Sequence, residues 1–341
     1  MAESGTDAER AERERSGNGG DDPVEQRGQD YVPKGVERKT GLWPTLKRTA
    51  LEFQEDNLTD WAATLTYYGL LAVFPALIVL VSIVGLVGDP ESTTNTLTDI
   101  VTKVGPESAA TTFAGPISQV TESRSTAGFA LIVSTLVALW SASGYLGAFI
   151  RASNVIYETR EGRPFWKLRP LQLLLTLVVV LLLVVMALGV VLTGPIVSDV
   201  AEPIGVSDTA VSIWNYAKWL LIAVLFVLMI GLIYHASPNV RQRGVKWISP
   251  GAVVALVVWL LASAGFGIYV SQFGSYNKVY GSLAGVVIIL IWMWLTNLAI
   301  LFGHELNAER ERDVQLEEGV PDAEREIQLE PRDEPDRRRT V

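Results

Sequence analysis

From Leu173 to Leu192 the chain reads LLLTLVVVLLLVVMALGVVL, without one charged side chain. A helix needs roughly 20 apolar residues to cross a hydrocarbon core, and this run has that length. Five similar runs accompany it. The six lie at about 66–88, 127–150, 171–194, 213–235, 249–270 and 282–305. Lipid offers backbone N–H and C=O groups no partner, so only helices and closed barrels cross it. The runs lack the alternation of barrel strands, which predicts helices. The first begins too far into the chain for a secretory signal and is expected to be retained.

The charge distribution agrees. Of the 37 Asp and Glu, 14 precede residue 66 and 13 lie from Glu305 onward. Of the 28 Lys and Arg, nine precede residue 66 and seven follow residue 306. A soluble domain spreads its charges over its surface, whereas this chain leaves its long middle nearly bare. No folded stretch is basic enough to neutralise phosphates, so nucleic acid is not expected as a partner. The chain has no cysteine. Disulfides, zinc ribbons and thiol nucleophiles are thereby excluded.

Loop charges predict the orientation. Arg151, Arg160, Arg163, Lys167 and Arg169 fall in one short connection, and Arg241, Arg243 and Lys246 in another on the same side. The opposite connections hold Lys103, Arg124 and Lys278. Both termini are then cytoplasmic and the protein sits in the plasma membrane. Lys218 is expected to snorkel outward beside Trp214, Tyr216 and Trp219.

Residues 1–40 and 312–341 are polar and charged, too poor in apolar groups to offset ordering entropy, and read as disordered tails. The membrane domain is 41–311. Within it Trp43, Leu46, Ala50 and Phe53 recur at helical spacing, which predicts an amphipathic helix on the membrane surface. The outer connection 89–126 reads as two short amphipathic helices interrupted at Pro106. The predicted fold class is an all-α integral membrane protein with six transmembrane helices, an N-terminal interfacial helix and disordered charged ends.

Polar groups inside membrane helices are costly and mark candidate sites. In the sixth run, Asn297 precedes His304 and Glu305 by about two turns, which puts them near one face. Either they line a polar path or they tie helices together. After the second run, Arg151, Asn154 and Tyr157 follow at steps of three, with Arg151 the expected partner of Glu305 at the inner boundary. Ser141, Gly144 and Gly147 permit close helix packing there. Tyr67, Tyr68 and Pro75 mark the first run, where the proline removes a backbone donor. Trp140, Trp259, Trp292 and Trp294 fall within runs, serving either packing or a cavity for an apolar ligand. No metal-ligand pattern, nucleotide loop or nucleophile elbow occurs in the ordered region, so neither an enzyme nor a cofactor is expected.

Several strings resemble one family. They are LTYYGLLAVFPALIVLVSIVGLVG in the first run, RASNVIYETREGRPFWKLRP after the second, and the stretch from Trp247 to Glu309. The last includes Pro250-Gly251-Ala252, Tyr269, Tyr280-Gly281-Ser282-Leu283 and Gly303-His304-Glu305-Leu306-Asn307. These motifs occur in order over roughly 45–310 and resemble the YihY/BrkB family of inner-membrane proteins. The usual family motif has Ala where this chain has His304. The resemblance implies a polytopic envelope protein, with members linked to serum resistance or to lipid and lipopolysaccharide handling. An old ribonuclease label also attaches to the family, which the residues here oppose. The expected function is a transporter or flippase-like protein for a lipid or amphipathic solute, among membrane lipids. The alternative is a non-transporting envelope scaffold, and a membrane ribonuclease is the least favoured reading.

Overall fold

The computed structural model describes residues 41–87, 127–191, 207–242, 249–272 and 282–334. Seven helices occur among them: α1 Leu42–Glu55, α2 Leu58–Val87, α3 Ala127–Ile156, α4 Phe165–Val191, α5 Asp208–Ala236, α6 Pro250–Gln272 and α7 Ser282–Glu317. Four contain stretches long and apolar enough to cross a membrane: Phe165–Val190, Val211–Ala236, Pro250–Ser271 and Gly285–Glu317. α2 and α3 are 30 residues each, and parts of their side-chain environment lie outside the described residues. So do the tail 1–40, the connection 89–126 and the Pro75 side chain, each the subject of an expectation above.

The helices outrun the apolar stretches. α2 begins at Leu58, and α7 continues past Glu305 to Glu317. Apolar composition marks what lipid could cover, whereas Glu, Arg and Gln continue a helix as readily as Leu. The helix ends carry their own signals. Asn57 takes φ 51°, a left-handed conformation that Asn tolerates, and turns α1 into α2. Ser249 caps α6 by accepting from the Ala252 N–H at 3.1 Å, with Pro250 in the first position of the helix. α3 closes in a Schellman turn, with Thr159 N–H donating to Asn154 O and Glu158 N–H to Val155 O. Glu158 holds the left-handed position at φ 49°, where glycine is usual.

α2 to α7 pack in chain order, and α7 returns to α2, so the six close a ring. α7 also touches α1 and α3. At the α6–α7 crossing a Cβ on Gly251 would lie 1.9 Å from Gly303 O, and one on Gly303 would lie 2.3 Å from Gly251 O. Only hydrogen on both residues allows this approach. Asn307 Oδ1 accepts from Gly251 N–H at 2.9 Å, and its Nδ2 donates to Ser249 Oγ, fixing the same crossing. Gly144 and Gly147 serve close packing as expected, against Tyr68 and Gln172. Trp259 donates to Thr296 and Trp292 to Ser263, so both tie α6 to α7. Trp140 is half-exposed, with the Arg169 guanidinium over its ring. Lys218 is buried, and its Nζ donates to Asn215.

The reading of 312–341 as a structureless tail is corrected for residues 312–334. They complete α7 and then fold back over the charged end of the bundle. Ala323 and Ile327 are buried, and Pro331 pairs with Val240 in an isolated antiparallel bridge. Arg332 donates to Val240 O and His235 O, and Asn239 donates to Asp333 O. Gly162 lies under this segment, where a Cβ would stand 1.9 Å from Asp333 O. Overall polarity hid this docking, because the segment is held chiefly through backbone groups and two apolar anchors.

Candidate functional site

α1 turns only part of its apolar stripe toward the protein, where Phe53 meets Phe302 of α7. Its buried residues are Thr45, Arg48 and Thr49, while Leu42 and Trp43 are 80% and 78% exposed. The polar face is drawn to the charged half of α7. Residues i, i+4 and i+7 of a helix share a face, and Glu305, Glu309 and Arg312 have that spacing. Arg48 and Glu52 answer from α1 one turn apart. Arg48 Nε donates to Glu309 Oε2 at 2.8 Å and its second branch to Asp313. Arg312 Nε faces Glu309 Oε1 at 2.9 Å, and its terminal nitrogens meet Glu158 at 2.8 Å and Glu52 at 3.8 Å. Glu158 also accepts from the Ile327 N–H at 2.7 Å, so one carboxylate binds both α7 and the returning segment.

Carboxylates outnumber guanidiniums here. Burial pushes Glu52 up to about 7; Arg312 opposes this, while Glu309, Glu55 and Glu158 add to it. Burial likewise raises Asp56 to about 7, with Glu52 and Glu158 adding and Arg312 opposing. Burial raises Glu158 as well, against the pull of Arg312 and the Ile327 N–H. Glu305 is 2% exposed, and its Oε2 has no hydrogen-bond partner.

Beside this network lies a cavity of about 480 Å³. Leu42, Leu46, Val254 and Leu306 give it apolar walls, and Asn307 and Arg310 polar ones. It opens between α1, the ends of α5 and α6, and α7. Among the described residues no three His, Cys, Asp or Glu are placed to hold a metal ion.

The family model described as Virulence factor BrkB matches residues 49–327. The chain belongs to the BrkB family. The match runs from the middle of α1 to Ile327, the residue whose N–H rests on Glu158. A ribonuclease-like protein of Bacillus subtilis, YfkH, is 30% identical over 72% of this chain and 88% of its own length. A UPF0761 membrane protein of Azoarcus is 29% identical over 78% of this chain and 64% of its own length. Another, of Tolumonas auensis, is 33% identical over 28% of this chain and 35% of its own length. The chain thus spans well under two thirds of the Tolumonas relative. No solved structure matches it.

In this BrkB-family chain the residues singled out from sequence fall into separate places. Asn297 accepts from Tyr145 OH at 2.8 Å and donates to Thr66 Oγ1 at 3.1 Å, which ties α7 to α3 and α2. His304 is buried between Tyr234, Phe149 and Tyr157, with Nε2 3.0 Å from Ser153 Oγ. Glu305, the next residue, is buried with its Oε2 unsatisfied. The expected single stripe is therefore split. The Arg151–Glu305 partnership is also corrected: no such ion pair forms among the described residues. Arg151 is exposed, with its guanidinium over the Tyr68 ring at 5.8 Å. Steps of three fall about 60° short of a full turn each. Arg151 is consequently a third of a turn from Tyr157, which is buried, while Asn154 between them donates to Glu161 and accepts from the Asn239 N–H. Tyr67 is 60% exposed and stacks edge-on against Tyr68.

The sequence reading missed Arg48, Glu52, Asp56, Glu158, Glu309 and Arg312. For Glu309 and Arg312 the signal was the four- and three-residue spacing of charges beyond the apolar run, visible once α7 is extended to Glu317.

Proposed function

We propose that this BrkB-family protein crosses the inner membrane six times, keeps both ends cytoplasmic, and moves a lipid or amphipathic solute. The observation that carries the reading is the cavity at the charged end, where apolar and charged walls meet as an amphiphile requires. The exposed Trp43 at the start of α1 adds support, since it would enter the headgroup region while the polar face holds α7. The loop charges support this orientation. The ribonuclease-like name printed for the Bacillus relative describes that protein, and we assign no RNA chemistry here.

A scaffold without transport is favoured by one observation. The polar groups Asn297, Tyr145 and Thr66 satisfy one another. Reconstitution into liposomes with a panel of labelled lipids separates the readings. Transport predicts movement of at least one lipid class above empty vesicles, reduced when Val254→Trp fills the cavity. No movement of any lipid, with α1 still docked, leaves the scaffold.

A further inference from the structure

Arg48, Arg163, Lys167, Arg241 and Arg312 each meet a carboxylate. Arg151 and Arg169 meet none among the described residues. Both border one stripe of α3. Val137, Trp140, Gly144, Gly147 and Arg151 recur at steps of three and four, so they share a side of that helix. α2 and α4 flank the stripe. A Cβ on Gly144 would lie 3.2 Å from the Tyr68 ring of α2. One on Gly147 would lie 3.2 Å from Gln172 Nε2 of α4 and 3.8 Å from a terminal nitrogen of Arg151. Arg169 donates to Gln172 Oε1 at 3.1 Å. The buried Gln172 amide therefore sits beside Gly147 with a guanidinium on either hand. Aromatic rings lie against both cations. Arg151 is 5.8 Å from the Tyr68 ring centre, and Arg169 is 4.9 Å from that of Trp140 and 5.6 Å from that of Phe165. Val137, Trp140 and Phe165 are all exposed, so apolar surface continues directly from the charged groups.

A guanidinium beside lipid ordinarily reaches water or an ion-pair partner. Its planar fork of N–H donors matches the oxygens of a phosphate, with bonds strengthened by charge. We propose that this stripe of α3, between Arg151 and Arg169, holds the phosphate of an anionic phospholipid. The two guanidiniums and Gln172 Nε2 donate to the phosphate oxygens, and the acyl chains run over Trp140 and Val137. Two guanidiniums without counter-ions favour a headgroup of net negative charge over one that carries its own cation. The adjoining apolar surface favours a lipid over free phosphate, which has nothing to bury there. The site shares no residue with the cavity beside α1. It rests on α4 crossing the membrane, for which its length and apolar composition suffice, and not on any movement of solute.

The test uses the full chain in detergent micelles carrying phosphatidylglycerol or phosphatidylcholine with identical acyl chains. Native mass spectrometry reads the lipid that stays bound. The parent is expected to retain phosphatidylglycerol in preference to phosphatidylcholine. Arg151→Gln and Arg169→Gln should each weaken phosphatidylglycerol retention about fivefold and leave phosphatidylcholine retention unchanged. The double variant should lose the preference, and the two single variants carry the test if it does not fold. Arg241→Gln removes an equal charge from an exposed pair with Glu330 and should change nothing. Equal retention of the two lipids by the parent overturns the proposal. So does a preference that survives loss of both guanidiniums, or one that Arg241→Gln weakens as much. Inorganic phosphate in excess should leave the bound phosphatidylglycerol in place; its displacement would make free phosphate the ligand and overturn the lipid assignment. Failure of lipid movement in liposomes leaves this measurement untouched, because it reads retention at α3 and not passage through the cavity.

Discussion

Arg48 Nε donates to Glu309 Oε2 at 2.8 Å across the α1–α7 contact, with the two side chains 4% and 0% exposed. Glu309 also faces Arg312, so one buried carboxylate lies between two guanidiniums on different helices. Removing one partner of a buried pair strands the other, at a typical cost of about 3–5 kcal/mol. Glu309→Ala and Arg48→Ala are each expected to lower the detergent melting temperature clearly. The double variant should lose less than the sum, since the shared interaction is lost only once. Strictly additive losses would show the contact to be energetically idle.

The α6–α7 crossing gives a second expectation. A Cβ on Gly251 meets Gly303 O at 1.9 Å, a backbone atom that cannot swing aside. Gly251→Ala and Gly303→Ala must push the helices apart, and overpacking of this kind costs about 1–3 kcal/mol or more. Gly265→Ala, with nothing within 4 Å of its Cβ, is the control. It should be neutral or stabilising by up to about 1 kcal/mol through helix propensity. Equal melting temperatures for all three would contradict the close crossing.

Orientation is tested by labelling in intact cells. Cysteines at Ser108 and Ser207 should react with an impermeant thiol reagent, and one at Gly244 should not. The absence of native cysteine makes the readout clean. The reverse pattern would put the termini outside.

The helical class and the placement of the long helices were legible because apolar runs of membrane length admit few folds. Where the helices stop was not. α7 passes Glu305 without interruption, and a reading that ends helices where apolarity ends loses Glu309 and Arg312 from the same face. Arg151 failed for a different reason. Matching boundary depth suggested a partner for Glu305, but depth does not fix azimuth, and a third of a turn separates Arg151 from the buried side of its helix. The segment 318–334 was illegible from composition, because its docking rests on Asn239, Gln315 and Glu158 meeting backbone groups. Asn297 is buried, and its hydrogen bonds to Tyr145 and Thr66 join α7 to α3 and α2.

The acidic network sets the pH dependence of stability. In the unfolded chain Glu52 and Asp56 titrate near 4.5 and 3.8, and in the folded protein each is raised to about 7. Between those values the folded state holds more protons than the unfolded one, so stability falls as pH rises. The penalty is absent below the unfolded values and fully present above about 7. Glu161 acts in the opposite sense: burial opposes it, but bonds from Arg163 and Asn154 hold it below the usual range, so its contribution is lost only in more acid solution. Melting temperature measured between about pH 5 and about pH 8 should therefore decline. Each fully titrating group contributes a slope of at most about 1.4 kcal/mol per pH unit. Asp56→Asn removes one such group, so it should melt higher than the parent on the alkaline side and match it on the acid side. A variant whose profile runs parallel to the parent at every pH would mean that Asp56 keeps an ordinary carboxylate titration in the folded protein.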